Sequence, residues 1–149
     1  MRRRALIALA VAVVLTGCGG GGGQRLTRDE LVSQGDQECR DQGERERRIG
    51  AFRDAASLAT KGDQLLATDR EAFRRFRRLR PPEELQPEFD AYIKLIGDTL
   101  DVETKLVDAA KRGDTSGLRR QILEQQALRP RLAAAARKIG FKVCSQSGR

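Results

Sequence analysis

Chemistry by side-chain position is open to only a few residue types in this chain. There is no histidine and no tryptophan, and the single methionine is Met1. A Ser-His-Asp triad and a Glu-x-x-His di-iron site therefore have no residues to be built from. Haem ligation and the usual zinc sites lose most of their donors for the same reason, so no cofactor, no metal and no catalytic residue is expected. Carboxylates remain, as in Asp101 with Glu103 and Glu44 with Glu46. Residues two apart on a helix face different ways, so neither pair converges on one atom. Glu103 reads as an edge residue of its helix, and only carboxylates meeting across helices would keep acid-base chemistry open.

The thiols are more informative. Cys39 and Cys144 lack both the close CxxC spacing and the activating neighbour of a redox site. In an exported chain two leftover thiols pair as a structural disulfide, two buried free thiols being the alternative. Closing so long a loop is worth about 4 to 5 kcal/mol on the chain-entropy model. The third thiol, Cys18, ends Leu15-Thr16-Gly17-Cys18 after three arginines and an apolar run from Ala5. That is the layout of a bacterial lipoprotein signal peptide with its lipobox. The run is too short for a membrane span, which needs about 20 apolar residues. Residues 1–17 are expected to be cleaved as a signal peptide. Cys18 then becomes a lipidated N-terminus, and residues 18–26 form a Gly-rich tether. Removing Arg2, Arg3 and Arg4 lowers the formal charge from +8 to +5. A tether of about eight residues spans only about 15 Å, so the domain at 27–149 sits close to the lipid.

Arg74, Arg75, Arg77, Arg78 and Arg80 interleave with Phe73, Phe76 and Leu79. The aromatics follow a core stripe, so a nucleic-acid stacking platform is not indicated and no nucleic acid is expected as partner. Arginines in a last turn suit the negative end of a helix dipole, which makes a solvated basic face the plain reading. The functional reading is contact with an anionic surface: lipid head groups, an envelope polymer or an acidic protein.

Four helical segments must position these groups, because Ala, Leu, Arg, Glu and Gln dominate from Thr27 onward. Thr27-Arg28-Asp29-Glu30 is a capping box opening the first. Gly35 and Gly43 each cost up to about 1 kcal/mol there, making it the weakest helix. The break to the second falls near residues 49–54. The second carries the stripe Phe52, Ala55, Ala59, Gly62, Leu66, Asp69, Phe73 and Phe76, and Arg80-Pro81-Pro82 ends it. The third opens near Pro82 or Pro87 and buries Leu85, Phe89, Tyr92, Ile93, Ile96, Leu100, Val107 and Ala110. Gly113 closes it and Asp114 caps the fourth. The fourth buries Leu118, Ile122, Leu128, Leu132, Ala135, Ala136 and Ile139 and should kink at Pro130. Short loops predict an all-α, antiparallel up-down four-helix bundle. After Gly140 an extended tail would run back along the first helix, bringing Cys144 to Cys39. The end of the second helix then shares the tethered end of the bundle.

The early-helix cysteine, the ending Gly140-Phe141-Lys142-Val143-Cys144, and the turn Leu79-Arg80-Pro81-Pro82 before Phe89 and Tyr92 resemble small actinobacterial lipoproteins of unknown function. The resemblance implies a disulfide-stapled bundle on the envelope and carries over no ligand or active-site residue. The chain thus reads as a membrane-anchored, non-catalytic interaction module whose partners are the bilayer and an envelope protein or anionic polymer. The alternative is a small-ligand-binding lipoprotein with a cavity between helices, where Gly62 and Pro130 loosen the packing.

Overall fold

The computed structural model describes residues 24–146, and among these the chain is helical with no strand. The signal segment and Cys18 lie outside the described residues. Helix α1 spans Arg28–Ile49, α2 Ala55–Phe76, α3 Gln86–Lys111 and α4 Thr115–Ile139. No helix among the described residues is long and apolar enough to cross a membrane.

Each boundary has a local cause. The capping box at α1 is present, with Glu30 N donating to Thr27 Oγ1 at 3.3 Å and Thr27 N donating to Glu30 Oε2 at 2.8 Å. Asp54 caps α2 by accepting Ser57 N at 2.7 Å. Helix α2 stops at Phe76, four residues before Arg80, because Arg78 N and Leu79 N turn back to the carbonyls of Arg75 and Phe76 and tighten the chain ahead of Pro81. A single 3-10 turn at Glu83–Leu85 leads into α3, with Pro87 in its first turn. Asp114 accepts Gly117 N at 2.8 Å and caps α4, which continues as one helix through Pro130. At Gly140 φ reaches 108°, the left-handed conformation that glycine adopts without a Cβ penalty.

The four helices form an antiparallel bundle, and the pairings show the direction. Glu38 of α1 meets Arg75 of α2, while Gln42 further along α1 meets Asp69 earlier in α2. Along α2 and α3, Phe76 meets Tyr92, and near the opposite ends Lys111 meets Asp63. Gln125 of α4 reaches Glu103 of α3. One end of the bundle therefore holds the start of α1, the end of α2, the start of α3 and the end of α4.

That end contains the densest core. Phe76, Tyr92 and Phe141 meet edge to face with ring centroids 5.4–6.2 Å apart. Leu31, Leu85, Phe89, Ala136 and Ile139 surround them. Toward the other end Leu66, Val102, Leu106, Val107 and Leu128 are buried. The core cluster and the disulfide join residues of all four helices with Phe141 and Cys144 after Gly140.

Some sequence expectations are corrected. Phe52 lies in the α1–α2 link and is 36% exposed, and Ile122 is 43% exposed although the stripe placed it inside. Gln121 takes the interior position beside Ile122 instead. The residues after Gly140 form turns rather than an extended strand, for a reason that lies in α1.

Candidate functional site

The disulfide is formed: Cys39 of α1 and Cys144 are bonded, with Cα atoms 5.4 Å apart. Two α1 residues prepare that junction. Asp36, 6% exposed, aims its carboxylate at the turn and accepts Lys142 N at 3.0 Å, Val143 N at 2.8 Å and Cys144 N at 3.3 Å. Three successive amides curled around one carboxylate cannot lie extended, hence the turn. One residue earlier, Gly35 leaves bare backbone on which the edge of the Phe141 ring rests, and a Cβ there would occupy the ring's place. The helix-weakening glycine is thus a packing requirement. Burial, and secondarily the Asp36 charge, raise the Tyr92 hydroxyl pKa well above its usual range.

The basic cluster is divided by its surroundings. Arg75 is ion-paired with Glu71 and Glu38. Arg77 lies 5.7 Å from the Phe73 ring centroid in a cation-π contact. Arg74, Arg78 and Arg80 are exposed. Beside them residues 25 and 26 pack onto the α2–α3 link: Leu26 N donates to Arg80 O at 2.8 Å, and Arg25 Nη1 donates to Pro81 O at 2.9 Å and to Gln86 Oε1 at 2.7 Å. The cluster and residues 25 and 26 therefore share one corner.

Midway along the bundle three helices bring carboxyls together. Asp69 of α2, which interrupts the apolar stripe, is 8% exposed and accepts Gln42 Nε2 at 2.9 Å. Glu46 of α1 and Glu103 of α3 face it. Loss of hydration, then the Asp69 charge, push Glu46 up to about 7 and Glu103 up to about 8. Asp69 is also raised by burial, and hydrogen bonds from Gln42 and from protonated Glu103 and Glu46 pull it partly back. Glu103 is half-buried and turned toward Asp69, with Gln125 Nε2 donating to its Oε1 at 3.3 Å. The arrangement can hold protons near neutrality. Among the described residues no group of histidine, cysteine or acidic side chains has the grouping of a metal site.

The sequence names Glu46 and Glu103 as carboxylates but does not announce Asp36 or the meeting of Glu46 and Glu103 with Asp69. Asp36 stands one turn before Cys39 on the same face, a spacing that could have marked it. The carboxyl cluster joins residues of three helices and has no local signal.

Gly62 does not open a cavity, since the Val107 methyls occupy the space a Cβ would take. A surface groove of about 260 Å³ between α3 and α4 is lined by Asp98, Asp101, Val102, Lys105, Glu124, Leu128 and Arg131. A larger surface hollow of about 550 Å³ lies against Thr115, Ser116, Arg119, Arg120 and Leu123. No protein-family model, curated protein or solved structure matches the chain.

Proposed function

We propose that this chain is a lipid-anchored envelope protein, held to a bilayer through Cys18 and acting as a non-catalytic interaction module whose basic corner meets anionic head groups. The Leu15-Thr16-Gly17-Cys18 motif supplies the anchor in this reading. The observation that carries the rest is the hydrogen bond from Leu26 N to Arg80 O, 2.8 Å long. A tether leaving at Leu26 hangs the corner of Arg74, Arg78 and Arg80 over whatever surface the anchor occupies. Each arginine near an anionic leaflet contributes about 1 kcal/mol, so three add materially to a single lipid anchor.

The test is expression of the full chain in a bacterial host, followed by detergent-phase partition and intact-mass analysis. The expected product begins at acylated Cys18 and partitions into detergent, while Cys18→Ser leaves an unprocessed chain without the acyl mass. A wild-type chain lacking the acyl mass overturns the anchor. Lipid crosslinking that is unchanged when Arg74, Arg78 and Arg80 are replaced by Gln removes the basic corner from the reading.

A further inference from the structure

The outward face of α4 sets exposed apolar residues among cations. Its inner row, Gly117, Gln121, Leu128, Ala136 and Ile139, is buried. The opposite row, stepping by 3 and 4, is Arg119, Leu123, Ala127, Pro130, Ala134 and Arg137, an apolar line with an arginine at each end. Leu123 is 61% exposed, and neighbouring Ile122 is 43% exposed. Arg120 and Lys138 flank the row on one side and Arg129 on the other, whereas Glu124 is the one acid of α4. Among the described residues no ion pair within 4.0 Å engages any of these cations, although Arg45, Arg48, Arg75, Lys94 and Lys111 all have one. From Arg119 to Arg137 the row is about 27 Å long.

We propose that this face is a second membrane contact, lying flat on an anionic phospholipid bilayer with Leu123, Ala127 and Pro130 at the acyl boundary and the arginines at the phosphates. The charge selects the occupant. A second copy presenting the same face brings like charges together, while an anionic leaflet offers negative charge around an apolar interior, the complement of an apolar line fringed by cations. The helix follows the long axis of the bundle and finishes at the same end as the Leu26–Arg80 contact. A protein tethered at that end lies on its side, with the length of α4 down. The proposal deepens the anchored reading, but the contact itself needs no acyl chain.

The test uses residues 24–149 with the disulfide formed, their helix content and melt first matched to those of the full chain by circular dichroism, co-sedimented with vesicles of phosphatidylglycerol and phosphatidylcholine or of phosphatidylcholine alone. Binding is expected only with phosphatidylglycerol, weakening as salt rises. Arg119→Gln and Arg129→Gln should each weaken it about fivefold, from about 1 kcal/mol per arginine. Ile122→Asn with Leu123→Asn leaves the charge intact and should weaken it at least about fivefold, because buried apolar area is lost. All four positions are exposed, and an unchanged circular-dichroism melt confirms that each variant folds. The proposal is overturned if the bundle ignores phosphatidylglycerol at low salt, if the α4 variants bind like wild type, or if binding is to polyglutamate and not to vesicles, which assigns the face to an acidic protein. Vesicle binding by this unacylated bundle stands or falls separately from acylation of Cys18 in the full chain.

Discussion

Asp36 and Val143 are joined by a hydrogen bond of 2.8 Å between a buried carboxylate of α1 and a backbone amide 107 residues away. The same oxygen also accepts Cys144 N, and its partner oxygen accepts Lys142 N. The disulfide is therefore one of two links at this junction, and the carboxylate shapes the turn that presents Cys144 to Cys39.

Asp36→Ala should cost about 1 to 3 kcal/mol, the loss expected when the buried Cys144 amide is left without an acceptor, while the part-buried Lys142 and Val143 amides turn to water. Asp36→Asn keeps one acceptor oxygen and should fall between wild type and Ala. Urea unfolding of the oxidised proteins checks the order. Equal stability of Ala and wild type would refute the role.

Breaking the Cys39–Cys144 bond should lower stability by about 2 to 5 kcal/mol. Melting with and without reductant measures this, and intact mass under non-reducing conditions should show both thiols absent. Combining Cys39→Ala with Asp36→Ala should cost less than the two losses added, because both act on one turn.

Gly62→Ala would ordinarily strengthen an exposed helix by up to about 1 kcal/mol. Here the added methyl meets Val107 Cγ1 and Cγ2 at 2.6 Å, so a net loss of about 1 to 3 kcal/mol is expected. Val107→Ala makes room for it, and the double variant should be less damaged than the sum. Additive losses would show that the two side chains do not compete for one space.

Stability should fall as pH rises from weakly acid to weakly alkaline conditions. Glu46 and Glu103 bind protons up to about pH 7 and about pH 8 in the folded chain, against an ordinary value of 4.5. The unfolded chain releases those protons first. The contribution is complete below pH 4.5 and is lost as pH climbs through 7 and 8. Carboxylates with lowered values, such as Glu30, Asp54 and Asp114, have the opposite sign but act at lower pH. Glu103→Gln should flatten the alkaline loss by about 1 to 3 kcal/mol, the lower figure allowing for its partial exposure to water. Urea midpoints across this range measure it, and a wild-type profile that rises with pH contradicts the cluster.

Much of the fold was legible because it is written locally. The capping box at Thr27, the break near residues 49–54 and the Gly140 reversal each depend on a few adjacent residues. Phe76, Phe89 and Tyr92 declared their burial by helical spacing. Ile122 misled for a physical reason: in α4 a glutamine occupies the inner row and an isoleucine the shoulder, so hydrophobicity and burial part company. Of the candidate site, the arginine corner was legible in sequence, but its internal pairing was not. Glu38 reaches Arg75 from another helix, and no spacing within α2 announces that. The carboxyl cluster and the Asp36 turn likewise exist only once helices have been brought together.

The clasp between Cys39 and Cys144 also decides where mechanical load goes. Tension applied between the two ends of the chain passes through the covalent bridge, so residues 40–143 form a closed loop that the force bypasses. Pulling can peel only the start of α1 and the last few residues, while the end of α1 and all of α2, α3 and α4 lie inside the loop and carry no load. Pulled by its two ends, the chain would unravel by one short helical segment and then stop.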